Sequence, residues 1–586
     1  MKIKEYIKHY SNFLKLCKEF YKYGYWSAVL TLGTIILQLP GPFLTKYAID
    51  RVFPQRNMQL LNIIVLGLLL LMIFKILTGF LNEILLFLFR SKAIMKIQLK
   101  LFAHIEDLSV AAHNEKTVGF FTTRLGQDTA NLQGLIADTI INFVRSTLTF
   151  IFGVCALIFI HWKLAIVSLL FLPAFAYSAY FFSGKIRDKT VQLQETWRHL
   201  YDVFFETLCS IPVIKAFCLE GVQVQKAAQR LNNLFQMNYD LTKTSMISGS
   251  ISAFIGGLGP LVILWYGGME IMANRLTLGS YFAFTAFLGY LYNPVQTLIS
   301  INAIVQRGII SLPRVFEIFH TPIEYDNTKE NVNFGNIKIE SILYKNIVFS
   351  YNGTKPIIKD INLQINHREK IAIIGKSGSG KTTLINLLLK FYRPTDGAIL
   401  INGINIENIK TKDLRQRIGI VLQMPFIFSG TMADNIRIGN VNASEEEMIQ
   451  AAKIAGLYDF ILSLPKGFET EVGERGVRLS GGERQRLAIA RVALKKPEII
   501  ILDEATSELD VNTERLIFDA LHEEFKDRIT IMITHRLYNV INADKIIYLK
   551  DGSIAGSGSH SELYHSNPAY KSLFNHQSKG IAPLPK

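Results

Sequence analysis

Six long apolar runs constrain the fold of this chain more than any other feature. Near residues 26–48, 61–89, 139–160, 164–184, 249–272 and 279–300 the sequence stays mostly aliphatic and aromatic. Each run reaches the roughly 20 residues that a helix needs to cross the hydrocarbon core of a bilayer. The connections are unequal. Those after the first, third and fifth runs are short, such as "HWK" at 161–163 and "ANRLTLG" at 273–279. Those after the second and fourth extend for tens of residues with helical periodicity and many charges, and "SKAIMKIQLKLFAHIEDLSV" (91–110) begins one of them. They read as spanning helices that continue into water, turn and return.

With 586 residues, 49% of them hydrophobic, the chain is too long and too apolar for one soluble domain. After about residue 335 the apolar residues shrink to strand- and helix-sized clusters. A net charge of +15 has two readings, nucleic-acid binding or membrane topology. Lys and Arg crowd the long loops, as the positive-inside bias requires, so topology is preferred and no nucleic-acid partner is expected. The long loops, both termini and the second half then lie in the cytoplasm, at the plasma (inner) membrane. Cys17, Cys155, Cys209 and Cys218 form no metal-binding spacing and are expected as free thiols.

Residues 1–25 place apolar side chains at helical spacing with lysines off the stripe. This fits an interfacial amphipathic helix, with a helix packed on protein as the alternative. Four charges fall inside the runs: Lys75, Glu83, Arg145 and Glu270. Lys75 can face a substrate pathway, or instead join an internal ion pair or snorkel to the interface. The other three lie nearer run ends, where an ion pair or snorkelling is expected. Residues 26–318 are therefore assigned to the membrane domain, 319–341 to a linker, 342–578 to a soluble domain and 579–586 to a tail.

The soluble half carries the chemistry. "IAIIGKSGSGKTT" (371–383) is a β-branched strand, a glycine-rich turn and a helix start, matching G-x-x-x-x-G-K-[ST] from Gly375 to Thr382. Gly375, Gly378 and Gly380 let backbone N–H groups turn toward phosphate oxygens, and Lys376, Ser377, Ser379 and Thr383 complete the loop. Lys381 is placed to neutralise β and γ phosphates, and the Thr382 hydroxyl to hold Mg2+. "PEIIILDEATS" (497–507) ends a buried strand in two carboxylates. Asp503 is assigned to the metal and Glu504 to the attacking water. A P-loop NTPase fused to six membrane spans follows.

One more stretch narrows the class. "RLSGGERQRLAIAR" (478–491) has Ser480 and Glu483 at capping-box spacing, yet puts Gly481 and Gly482 in the first helical turn, where they weaken it. A P-loop, a Ser-Gly-Gly helix start and an Asp-Glu strand end in this order resemble the nucleotide-binding domain of ABC transporters. The resemblance covers nearly the whole chain and implies further roles. Tyr351 matches the aromatic residue that stacks on adenine, and Gln423 the glutamine that senses Mg2+ and water. Asp510 matches the D-loop, and His535 the switch histidine. "EVGERG" (471–476) resembles the segment that touches the coupling loops. Ser480, Gly481, Gly482 and Glu483 would face ATP held by a second chain. Glu483 stands where Gln is commonest and Glu508 where Ala is usual.

"EKTVGFFTTRLGQD" (115–128), "ETLCSIPVIKAF" (206–217) and "LPRVFEIF" (312–319) resemble the exporter branch, making segments near 109–119 and 207–215 candidate coupling helices. The expected fold is a multidomain membrane protein: an all-α, six-helix transmembrane domain of the type I exporter kind plus an α/β P-loop NTPase domain. The resemblance implies ATP-driven export of an amphipathic or hydrophobic lipid, drug or peptide by alternating access of a dimer. The cofactors would be ATP and Mg2+. A second copy is the expected partner, with a related chain as the alternative. An ATP-gated channel or regulator is the rival reading. A soluble ATPase would lack the spans, and a leader-trimming exporter would need a peptidase domain ahead of them.

Overall fold

The computed structural model describes the chain apart from residues 1–12, 14, 136–138, 325–336, 352, 354, 474–478, 507, 535, 537–539 and 579–586. The residues form two compact units, Met1–Glu106 with Lys116–Thr321, and Asp107–Glu115 with Pro322–Lys586.

The first unit is built from long helices, as its apolar runs require. They are Tyr21–Gln38 continued by Pro40–Tyr47, Met58–Glu106, Thr139–Leu169, Phe171–Cys209, Glu220–Met272 and Leu278–His320. At 1.5 Å per residue, the 49-residue helix Met58–Glu106 is about 70 Å long, more than twice a bilayer's hydrocarbon thickness. It therefore continues beyond the membrane. Leu39 and Pro40 break the first span, and His161 leaves helical geometry within Thr139–Leu169, where the "HWK" turn is expected. Among the described residues, Lys18–Gln55, Met58–Glu106, Ile141–Leu169 and Glu220–Met272 are long and apolar enough to cross a membrane. The fourth and sixth expected spans are helical but fall outside that set. The fourth is divided at Leu170, and the sixth is diluted by Tyr290, Tyr292, Asn293 and Pro294.

Phe13 and Cys17, in the segment expected to lie at the interface, are buried against protein. All four cysteines are free. Glu270 is 3% exposed, and the Arg275 guanidinium donates to its two oxygens over 2.7 and 3.3 Å, the internal ion pair expected there. Asp50 accepts from the Thr277 hydroxyl (2.6 Å) and the Gly279 N–H (2.8 Å), fixing the start of the last helix. In the first long loop, buried Asp128 accepts from the Ser311 hydroxyl at 2.7 Å and from Arg124 Nη1 at 2.9 Å.

The second unit holds a six-stranded sheet in the order Ser553–Gly558, Lys545–Lys550, Lys370–Gly375, Ile529–Ile533, Ile499–Asp503, Ile418–Val421. All neighbours are parallel except the edge strand Ser553–Gly558. Covered on both faces, the strand Ile499–Asp503 is buried along its whole length, which is why it reads as an unbroken aliphatic run. A four-stranded antiparallel sheet, built on Ser341–Phe349 and Ile358–Asn366, shares an isoleucine-rich core with one face of the six-stranded sheet.

Candidate nucleotide site

The strand Lys370–Gly375 runs into the glycine-rich loop and then the helix Lys381–Leu388. Gly380 caps that helix at φ +101°, and a Cβ there would come within 2.5 Å of Ile358 Cδ1, so geometry and space both require glycine. Lys376 and Ser377 are exposed on the loop's rim, whereas Ser379 is buried and its hydroxyl has no partner. Buried Lys381 folds back to donate to the carbonyls of Gly375 (2.9 Å) and Lys376 (3.2 Å). Burial holds its ammonium below the usual lysine range, against the opposing pull of Glu504 and Asp503. The loop thus offers one buried cation, one orphaned hydroxyl and a helix N-terminus, the requirements of an anion site.

The carboxylate pair meets this loop at the strand end. The Thr382 hydroxyl donates to Asp503 Oδ2 at 3.3 Å. Burial pushes the Asp503 carboxyl up, the Thr382 hydrogen bond lowers it, and Glu504 raises it again. Glu504 takes a left-handed backbone, φ +48°, uncommon for a residue with a side chain. Its N–H donates to the Ile533 carbonyl at 2.9 Å, and its Oε2 accepts from Gln423 Nε2 at 2.7 Å. Thr382 with Asp503 and Gln423 with Glu504 therefore form two polar pairs on consecutive residues. A hydroxyl and a carboxylate side by side suit Mg2+, which keeps much of its shell for water and phosphate. Among the described residues no cluster of three or more His, Cys, Asp or Glu competes for a metal.

The helix Gly481–Lys495 begins as its spacing requires. The Ser480 N–H donates to Glu483 Oε2 (2.6 Å), and the Glu483 N–H to Ser480 Oγ (3.4 Å). The chain itself crowds the two glycines. A Cβ on Gly481 would lie 1.1 Å from Glu508 Oε2, and one on Gly482 would lie 3.1 Å from Leu509 Cδ2. Glu508 also reaches Arg484 Nη2 at 3.7 Å. Asp510 caps the helix Val511–Glu524 through the Thr513 N–H at 3.0 Å. The Tyr351 hydroxyl lies 3.2 Å from Thr383 Oγ1. His535 lies outside the described residues, as do residues 474–476 of the "EVGERG" segment.

Two participants are absent from the motif reading. Gln485 is 1% exposed, reaches the Glu504 carbonyl (3.5 Å) and accepts from the Glu508 N–H (3.1 Å). It ties the Ser-Gly-Gly helix to the carboxylate strand end. Tyr392 stands edge-on to Tyr351, with ring centroids 4.8 Å apart. Only tertiary packing singles out either one.

A phosphate-binding P-loop, a metal-suited pair and an acid–amide pair in a unit fused to long apolar helices define a membrane-bound P-loop ATPase. Comparison with known proteins narrows that class. Residues 26–295 match the ABC transporter transmembrane region, and residues 358–507 match the ABC transporter family. The chain is 35% identical over 537 residues to an ATP-dependent lipid A-core flippase of Syntrophus aciditrophicus, covering 92% of this chain and 89% of that one. It is 31% identical over 579 residues to the putative multidrug export ATP-binding/permease protein YgaD of Bacillus subtilis, covering 98% and 99%. A solved bacterial Atm1-family ABC exporter with ATP bound superposes with a TM-score of 0.82 at 26% identity, over 96% of this chain and 99% of that one. The chain belongs to the ABC transporter family. It is an ATP-driven exporter whose membrane region precedes a single nucleotide-binding domain.

Proposed function

We propose that ATP binds along the loop Gly375–Thr383 and is hydrolysed with Glu504 as the group that orients and deprotonates the attacking water. The observation that carries this reading is the Gln423–Glu504 hydrogen bond of 2.7 Å, which holds the carboxylate beside the Thr382–Asp503 pair. Thr382 and Asp503 are the residues to hold Mg2+. When bound, that ion supplies charge neutralisation across the phosphate oxygens. Lys381 supplies a fixed cation at the same phosphates, and its burial keeps it free of competing water. Tyr351 stacks the adenine, and His535, with Gln423, completes the catalytic set.

The working form is a homodimer in the plasma membrane, with the nucleotide unit in the cytoplasm. Ser480, Gly481, Gly482 and Glu483 of each copy face the γ-phosphate held by the other, with Asp510 beside them. The tip of the second long loop supports a second copy. Phe205 (73%), Leu208 (70%) and Phe217 (72%) are exposed there around the helix Ile211–Ala216, an apolar surface that calls for a covering partner. Closure of the two nucleotide units around ATP opens the spans outward, and hydrolysis resets them.

The exported molecule is an amphiphile with an anionic or zwitterionic head group. A cavity of about 390 Å3 inside the membrane unit is lined by Lys75, Glu83 and Arg145, with Gln38, Asn82 and Asn293. Two cations against one carboxylate suit such a head group, and ionisable residues at membrane depth mark substrate paths. The flippase relatives, named for lipid A-core, fit the same chemistry. The test is ATP-dependent movement of a fluorescent anionic phospholipid and of an uncharged diacylglycerol in proteoliposomes. Lys75→Ala with Arg145→Ala is expected to abolish movement of the anionic probe and spare basal hydrolysis. Equal movement of both probes by wild type and variant would overturn the head-group reading.

A further inference from the structure

Within the nucleotide unit, the segment 107–115 is clasped to the catalytic core at two points. At its root, Leu108 bridges Ile323 as a short antiparallel pair, and the Glu324 N–H donates to the Asp107 carbonyl at 2.8 Å. Arg415 fastens this pair. Its two terminal nitrogens donate to the two Glu324 oxygens over 2.8 and 2.7 Å, and its Nε donates to the Leu389 carbonyl at 2.9 Å. At the tip, in the short helix Val110–Glu115, the Asn114 side-chain amide donates to Tyr392 Oη at 2.7 Å.

Tyr392 belongs to an aromatic cluster. Its ring is perpendicular (90°) to that of Tyr351, with centroids 4.8 Å apart, and tilted against Phe349 at 5.7 Å. Tyr351 in turn touches Thr383, in the helix that follows the phosphate loop. Three side chains therefore link that helix to segment 107–115. A cavity of about 450 Å3 beside them leaves room for the rings to shift.

We propose that Tyr392 and Asn114 are positioning residues that report the nucleotide base, as distinct from its phosphates, to segment 107–115. This inference rests on the reading of Tyr351 as the adenine-stacking residue. A base laid against Tyr351 competes for the ring position that its hydroxyl now shares with Thr383. An edge-to-face pair has a preferred geometry set by the ring quadrupoles, so a shift of Tyr351 moves the favoured place of Tyr392. Tyr392 carries the acceptor of the Asn114 hydrogen bond, so the strength of that tie changes with base occupancy. Segment 107–115 continues directly into the helix Met58–Glu106 on one side and Val118–Thr123 on the other. The spans are thereby informed that adenine has docked before any phosphate chemistry occurs.

Hydrogen–deuterium exchange of the full-length protein in nanodiscs tests this directly, with Mg2+ and either a non-hydrolysable ATP analogue or inorganic triphosphate. In wild type, the analogue is expected to change exchange over residues 107–115 by about two- to tenfold, the worth of one hydrogen bond, and triphosphate to leave it unaltered. Tyr392→Phe keeps the ring and removes the acceptor, and Asn114→Leu removes the donor. Both are expected to bind the analogue within about tenfold of wild type, the most that reciprocity of such a coupling allows, and to lose the exchange response. A response retained in both variants would overturn the relay, as would an equal response to triphosphate. The Tyr351 reading has its own control. If Tyr351→Ala binds the analogue with wild-type affinity, adenine stacking is wrong. If its affinity falls while Tyr392→Phe and Asn114→Leu still respond, stacking stands and the relay fails.

Discussion

Glu508 is the residue whose environment says most about how the start of the Ser-Gly-Gly helix is set within one chain. Its carboxylate covers the first turn of the helix Gly481–Lys495. That is the positive end of the helix dipole, the place assigned above to the partner's γ-phosphate. A carboxylate there must leave as phosphate arrives. Glu508→Ala is therefore expected to lower the ATP concentration giving half-maximal hydrolysis by about two- to fivefold, the worth of one charge at a helix end. An unchanged ATP dependence would show that Glu508 does not compete. Asp128 is a second residue with a sharp expectation. It is 2% exposed and accepts from Ser311 and Arg124, so Asp128→Ala strands a guanidinium and should cost about 3 kcal/mol, read as a lower Tm. The meeting of Lys381, Thr382 and Asp503 at the strand end is legible in the sequence because local spacing sets it. Gln485, Tyr392 and Asn114 are not, because each acts through a neighbour that only the folded chain supplies.

At the scale of elements, helices and strands follow from hydrophobic period and length, but their ends follow from packing. The Ser480 cap, the turn at His161 and the buried strand before Asp503 lie where the sequence indicates. The intramembrane charges show the opposite case. Glu270 pairs within its own loop with Arg275, whereas Glu83 and Arg145 share a cavity with Lys75. Position along a span cannot separate these outcomes, because it says nothing of which face meets which helix. The last two helices, His560–Ser566 and Pro568–Ser578, carry a pH expectation. His560 Nδ1 lies 2.7 Å from Tyr570 Oη, and its ring is 4.5 Å from that of Phe574. Burial first, and then the nearby His565, hold its pKa below the ordinary imidazole value. A base with a depressed folded pKa stabilises the fold above its unfolded pKa, about 6.5, and loses that contribution as pH falls below it. Amide exchange across residues 560–575 should therefore accelerate between about pH 7.5 and pH 5.5, and His560→Phe should flatten the dependence. Identical pH profiles for the two proteins would rule the imidazole out as the cause.

For the molecule as a whole, hydropathy separates a membrane half from a soluble half, and the order of motifs names the family. Neither reveals that residues 107–115 are built into the nucleotide unit although the chain on both sides belongs to the membrane unit. That partition needs the bridge from Leu108 to Ile323 and the Arg415–Glu324 pair, contacts between residues far apart in the chain. The proposed sharing of each site between two copies carries its own expectation. A dimer mixing one Lys381→Ala chain with one Ser480→Arg chain keeps one intact composite site, whereas either variant alone keeps none. Such mixed dimers should hydrolyse ATP measurably above both parents, and activity no higher than the parents' would count against shared sites. The central claim, that Glu504 activates water in an ATPase that drives export, is tested most directly by the initial rate of ATP hydrolysis in nanodiscs. Glu504→Gln is expected to retain bound ATP yet hydrolyse it at least about a hundredfold more slowly than wild type, the contribution of a general base. Equal rates for the two proteins would contradict it.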